Sequence, residues 1–327
     1  MVRTGHEVSV AFALTIAAGA ATVLGGMVVF STRLVHLANP LSLAVALSIS
    51  SGVMLFISLV EIFSASVKML SEGIRTEDMT ADTATGHGWL CATGCFAVGV
   101  GLIYIIDIVV HKISPEHEMT EIENLHDIRE SIIQFESNKD SSKPPMSFLE
   151  SGASSCVESN TQYLKVDEEA KRALQRMGLL SALAIGIHNL PEGVATYVGS
   201  IQKSSVGFSL AVGIGLHNIP EGIAVAAPIY FATGSRRRGI FWCIISAAAE
   251  PVGGIIAWLA IGDGMDAIAE GILYGIVCGI MVCICIKELI PTSYKFAKNK
   301  PHVVAVGMYV GMLIMVTSLT LFGYAGV

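Results

Sequence analysis

The stretch Gly186-Ile187-His188-Asn189-Leu190-Pro191-Glu192-Gly193 returns 29 residues later as Gly215-Leu216-His217-Asn218-Ile219-Pro220-Glu221-Gly222. Both copies lie inside long apolar runs, where ionisable side chains are costly and mark function by default. Within each copy His and Glu stand four apart and Asn and Glu three apart, so on a helix all three project towards one face. Imidazole nitrogen, carboxylate oxygen and amide oxygen then converge on one spot. That donor set suits a borderline divalent cation, Zn2+ first, and tolerates Fe2+ or Mn2+. The candidate ligands are His188, Asn189, Glu192, His217, Asn218 and Glu221. Pro191 and Pro220 have no N–H for the carbonyls of Ile187 and Leu216, so each helix is predicted to kink there and free a carbonyl. Gly193 and Gly222 let a neighbouring helix approach closely. Broken helices around a polar cavity are a feature of secondary transporters.

The remainder of the chain has the composition of a polytopic membrane protein. Of 327 residues, 53% are hydrophobic and 14% charged, against about 25% charged in soluble domains. Eight runs reach the length a spanning helix needs: roughly Val8–Phe30, Leu41–Val67, Trp89–Val110, Arg172–Ser200, Ser205–Phe231, Gly239–Ile261, Ala267–Leu289 and His302–Phe322. Their length and their Gly and Ala content read as helices, not as the short alternating strands of a barrel. The fold class is therefore all-α, with eight transmembrane helices. Residues 1–111 carry three spans and residues 172–327 carry five, together one membrane domain. The first run is longer than the apolar core of a signal peptide and reads as the first span.

Residues 112–171 are the one long polar stretch, acidic and rich in Ser, and are predicted to be largely disordered with a short helix near Glu121–Phe135. His111, His117 and His126 read as solvated side chains there, with a weak regulatory metal site as the alternative. Most of the net charge of −7 comes from this loop, so it points to no nucleic-acid or other partner. The seven cysteines read as small apolar packing residues, not as a disulfide framework. Arg33, Arg236, Arg237, Arg238, Lys295, Lys298 and Lys300 fall on the side of the loops after spans one, five and seven, which makes that side cytoplasmic. The 112–171 loop shares that side, and both termini face away from the cytosol, at the plasma membrane or an organelle.

Two internal repeats organise the spans. The doubled motif places its copies on adjacent antiparallel helices, facing one another at mid-depth. A second repeat aligns Gly52-Val53-Met54 through Glu61 of span two with Gly279-Ile280-Met281 through Glu288 of span seven, at an offset of 227. Those two spans run in opposite directions, an inverted 3+2+3 arrangement of three helices on either side of a central pair. Glu61 then falls near the outer mouth and Glu288 near the inner one. They read either as capture and exit ligands on a metal path or as interfacial charges at helix ends. Glu250, in Ala249-Glu250-Pro251 of span six, lies close to mid-membrane and joins the candidate ligands.

Each buried carboxylate would cost several kcal/mol unless neutralised. A bound divalent cation removes that cost. No His-Glu-x-x-His motif lies in the spans and no nucleotide-binding loop is present, so the chain reads as no enzyme and as having no prosthetic group. The alternatives kept open are a membrane metal sensor that binds at the same residues without translocation and, more weakly, an intramembrane metal-dependent hydrolase.

The paired His-Asn-x-Pro-Glu-Gly stretches, the Glu250-Pro251 pair, the eight spans and the long loop after span three resemble the ZIP family of divalent metal transporters. Within it they are most similar to the ZupT and GufA type, which carries the motif in both central helices. The resemblance covers nearly all of the membrane part and not the loop. It implies import of Zn2+, and often Fe2+ or Mn2+, into the cytosol by a homodimer whose inner helices move as an elevator. It further implies one site formed by His188, Glu192, His217 and Glu221. A second, of Asn189, Asn218 and Glu250, would share Glu192 and Glu221, and Met54 matches a position that approaches the first. One departure stands out: Lys287 precedes Glu288 where the family carries an acidic residue or His. It would either slow metal release or alter selectivity at that mouth, or snorkel to the headgroups. The loop is also poor in His for this family.

Overall fold

The computed structural model describes residues 5–31, 40–113, 185–201, 204–261, 266–298 and 300–325, with isolated positions between 172 and 183. The expected loop 112–171, apart from its first two residues, lies outside them, with its short helix and with His117 and His126; so does the side chain of His111. All regular structure among the described residues is helical. The helices are α1 (Gly5–Gly26), α2 (Pro40–Phe56), α3 (Phe63–Ile74), α4 (Ala81–Ile113), α5 (185–201), α6 (Ser204–Thr233), α7 (Arg236–Ala247), α8 (Ala249–Ile261), α9 (Ala267–Ile284), α10 (Ile290–Ala297) and α11 (Pro301–Ala325). Seven stretches built from them are long and apolar enough to cross a membrane among the described residues. Helix α5, whose described run is 185–201, carries the first copy of the motif.

Local chemistry sets the ends. Gly234 takes φ +63° after α6, and its N–H closes on the Tyr230 carbonyl at 2.8 Å. That is a left-handed glycine stop. Ser235 then caps α7, its side chain accepting from the Arg238 N–H. Thr80 caps α4 in the same way, through the Thr83 N–H at 3.2 Å. Helix therefore begins eight residues before the apolar run at Trp89, because a cap and polar first turns extend a helix into the headgroup region.

Helix α6 runs unbroken through Pro220 and Pro228. Neighbouring backbone holds it: a Cβ at Gly222 would run into the Thr22 carbonyl, and one at Gly25 into the Ile219 carbonyl. Helix α1 thus lies directly against α6 where the proline removes a bond. An interruption falls in span six, at Ala248 between α7 and α8. Pro251 sits in the first turn of α8, where a missing N–H is tolerated.

Spans two and seven pack side by side. Cys285 Sγ donates to the Ser51 carbonyl at 3.5 Å, Cys278 Sγ to the Ser58 carbonyl at 3.0 Å, and the Ser66 hydroxyl to the Gly271 carbonyl at 2.6 Å. Numbers rise along one partner and fall along the other, so the two spans are antiparallel. Each also carries one π-helical stretch, at Ile57–Ile62 and Cys285–Leu289. A shift of 227 superposes residues 58–62 on 285–289. The thiols are spent on packing, as expected: Cys243, Cys278, Cys283 and Cys285 are buried, and none of the described cysteines is in a disulfide.

Candidate metal site

Close approach of four helices builds the site. A Cβ at Gly193 of α5 would strike the Glu250 carbonyl of α8, and one at Gly253 would strike the Leu190 carbonyl. With α1 against α6 in the same manner, the motif faces of α5 and α6 meet in a dry centre. His188, Asn189, Glu192, His217, Asn218, Glu221 and Glu250 are all buried, His188 the most exposed at 4%.

Glu192 is the hub. Its Oε1 stands 2.6 Å from His217 Nε2 and 3.2 Å from His188 Nε2. His188 Nε2 also lies 3.3 Å from Glu221 Oε1, and the two imidazole rings meet nearly at right angles, 6.2 Å between centres. His217 Nδ1 faces the Gly213 carbonyl at 3.2 Å. A proton on Nδ1 held by that carbonyl leaves Nε2 to bind a cation. Ligand atoms of His188, Glu192 and His217 lie within 4.8 Å of one another, a span one metal ion can bridge.

The second row adjoins it. Asn218 Nδ2 donates to the Ala18 carbonyl at 3.1 Å and to Glu250 Oε2 at 3.4 Å, while Asn189 Nδ2 donates to the Ser246 carbonyl at 3.4 Å. Both amides therefore direct their nitrogens at protein acceptors. Their oxygens, Asn189 Oδ1 and Asn218 Oδ1, are buried with no hydrogen-bond partner, as are Glu192 Oε2, Glu221 Oε2 and Glu250 Oε1. Five acceptor oxygens without donors, beside two imidazoles, ask for a cation. Leaving each such group unpaired would cost about 1–3 kcal/mol or more.

Every residue of the doubled motif read as a ligand, together with Glu250, is thus brought to one region. The three path residues lie on spans two and seven. Met54 is fully buried in the main apolar cluster, one turn beyond Ser50, whose hydroxyl donates to the His217 carbonyl at 3.1 Å. Glu61 and Glu288 sit half-buried in the two π-helical stretches. The Lys287 ammonium lies 5.2 Å above the ring of Tyr104 on α4. A cation–π contact of this kind draws the charge towards α4.

Two supporting roles escaped the sequence reading, which took Gly19 only as a point of close helix contact. Ser50 belongs to the polar run Ser48-Ile49-Ser50-Ser51 within an apolar span, a signal that was present. Gly19 is the other: a Cβ there would stand 2.5 Å from Glu250 Oε2. Only the partner helix reveals that need.

Apolar helices long enough to cross a bilayer, packed around a dry cluster of imidazoles, carboxylates and amides, define an integral membrane protein with a buried candidate cation site. Residues 8–318 match the family described as ZIP Zinc transporter. Zinc transporter ZupT of Chlorobaculum parvum is 37% identical over 313 residues, 95% of this chain and 97% of its own. The proteins of the same name from Streptococcus mutans and Clostridium perfringens are 36% and 34% identical over 312 and 319 residues, covering 95% and 97% of this chain and 97% of each relative. The chain belongs to the ZIP family.

Proposed function

We propose that the protein is a secondary transporter that carries divalent transition metal ions, Zn2+ foremost and also Fe2+ or Mn2+, into the cytosol. The observation that carries this reading is the set of five unpartnered buried oxygens beside His188 and His217. In this reading His188, Glu192, His217 and Glu221 bind one ion, and Asn189, Asn218 and Glu250, sharing the two motif glutamates, bind a second beside it. Nitrogen and oxygen donors without thiolate hold Zn2+ firmly enough to strip its water and loosely enough to release it. The relatives named as zinc transporters support the choice of metal.

The architecture that goes with this function has eight spans in a 3+2+3 inverted repeat, residues 1–111 and 172–327 forming one membrane domain around the 112–171 loop. The antiparallel packing of spans two and seven and their π-helical stretches at the repeat offset support it. The basic side is cytoplasmic, both termini face away from it, and the working unit is a homodimer.

Zinc uptake into proteoliposomes loaded with a zinc-sensitive dye tests the proposal. Wild type fills the vesicles, Glu192→Ala does not, and Glu250→Ala separates a required second site from one that tunes rate. Zinc binding by wild type with no flux would discard transport in favour of a membrane metal sensor.

A further inference from the structure

Tyr274 of α9 is 2% exposed, yet its phenol oxygen has no hydrogen-bond partner. Its surroundings are specific. The Ser58–Cys278 and Ser66–Gly271 contacts fix the register of α9 against span two, and in that register Tyr274 lies opposite Ile62 and Phe63, next to Glu61 in the chain. Glu270 stands four residues before Tyr274, one turn away on the same side of α9. The phenol lies within electrostatic reach of both Glu270 and Glu61. Across from α9, a Cβ at Gly199 of α5 would stand 3.2 Å from the phenol oxygen, so the hydroxyl reaches the end of the helix that carries His188 and Glu192.

Gly199 is seven residues beyond Glu192, about 10 Å along a helix. The cluster therefore sits about two turns from the central carboxylates. It lies towards the membrane face where α5 ends and α1, α6 and α9 begin. Both carboxylates are half-buried, whereas the central glutamates are fully buried.

We propose that Glu61, Glu270 and the Tyr274 hydroxyl form a capture station that holds an incoming divalent cation, still hydrated, before it moves to the central site. The inference deepens the transport reading and rests on it. Two half-exposed carboxylates attract a dication through its water shell. The phenol supplies one lone pair on the inner side, at the point where the ion passes towards α5. A station that acts on capture and not on the central step changes KM and leaves kcat nearly unchanged.

The experiment is initial-rate zinc uptake in proteoliposomes against zinc concentration, at two ionic strengths, for wild type, Tyr274→Phe, Glu270→Gln and the double variant Glu61→Gln/Glu270→Gln. The phenylalanine keeps the ring and removes only the hydroxyl. The double variant is expected to raise KM about fivefold with kcat kept. Tyr274→Phe raises KM by a smaller factor. The weakening of uptake by added salt, clear in wild type, flattens in the double variant because the steering charges are gone. A fall in kcat at constant KM, or an unchanged KM with unchanged salt dependence, overturns the station. Glu192→Ala in the same assay keeps the two readings apart: if wild type transports and Glu192→Ala does not, an unchanged KM in the mouth variants rejects the station alone.

Discussion

The two copies of the motif have the same polar residues at the same spacing, and the structure gives them unequal places. Copy one, on α5, packs through Gly193 on the backbone of α8, and its Glu192 accepts both imidazoles. Copy two, on α6, packs through Gly222 on α1, and its Glu221 meets only His188, at 3.3 Å. The amides diverge as well. Asn218 reaches Glu250, whereas Asn189 reaches only the Ser246 backbone. Equal local sequence thus yields one hub and one flank, because each copy faces a different neighbour. In the reading proposed above, the first copy supplies the carboxylate shared by both imidazoles and the second supplies the link to Glu250.

Substitutions that treat the copies alike in sequence should therefore separate them in function. The largest difference is expected between Glu192→Gln and Glu221→Gln. Losing the hub lowers zinc uptake by about 100-fold or more, and losing the flank costs about tenfold less than that, since outer partners alone carry 10–100-fold effects. Equal losses, read in the same proteoliposome flux assay, would dissolve the distinction.

Acidification comes next, and it acts on both copies together. Imidazole binds metal only when neutral, and the free group titrates near about pH 6.5. Protonation competes with the ion, so the sign is a loss on lowering pH. Uptake is expected to fall about tenfold between about pH 7 and about pH 5.5. Rates that climb on acidification would point to proton-driven transport in place of ligand competition.

The asparagines sharpen the contrast at smaller amplitude. Each change to Ala removes one proposed ligand oxygen; Asn218→Ala also takes a donor from Glu250 and should cost uptake roughly fivefold, while Asn189→Ala, which besides frees the Ser246 carbonyl, should cost roughly twofold. Calorimetric zinc titration of the purified protein checks whether the weaker binding step is the one lost with Asn218. Smallest is Ser50→Ala, which releases the His217 carbonyl and is expected to change uptake by less than about twofold.

Much of the membrane part was legible because its information is local. Apolar run length gave the spans, and a helix turns 100° per residue, so spacings of three and four fixed which side chains share a face. His188, Asn189 and Glu192 needed nothing else to be grouped, nor did His217, Asn218 and Glu221. The offset of 227 between spans two and seven was likewise readable, and it extends in the structure to the two π-helical stretches. Relations between helices were not readable in this way. The backbone approach of α1 to α6 at Gly25 and Gly222, beside Pro220, is one. The place of the Lys287 ammonium over the ring of Tyr104 is another.

The sequence by itself determined the class of protein and the chemical identity of the candidate ligands, since both depend on side-chain type and on spacing along one helix. Only the tertiary structure decided that Glu192 is the hub, that Asn218 rather than Asn189 reaches Glu250, that Gly19 makes room for that carboxylate, and that the Tyr274 hydroxyl reaches Gly199. Those relations depend on the rotation and the axial shift of one helix against another. Glycine contacts between backbones far apart in the chain set both, and no spacing within a single helix encodes them.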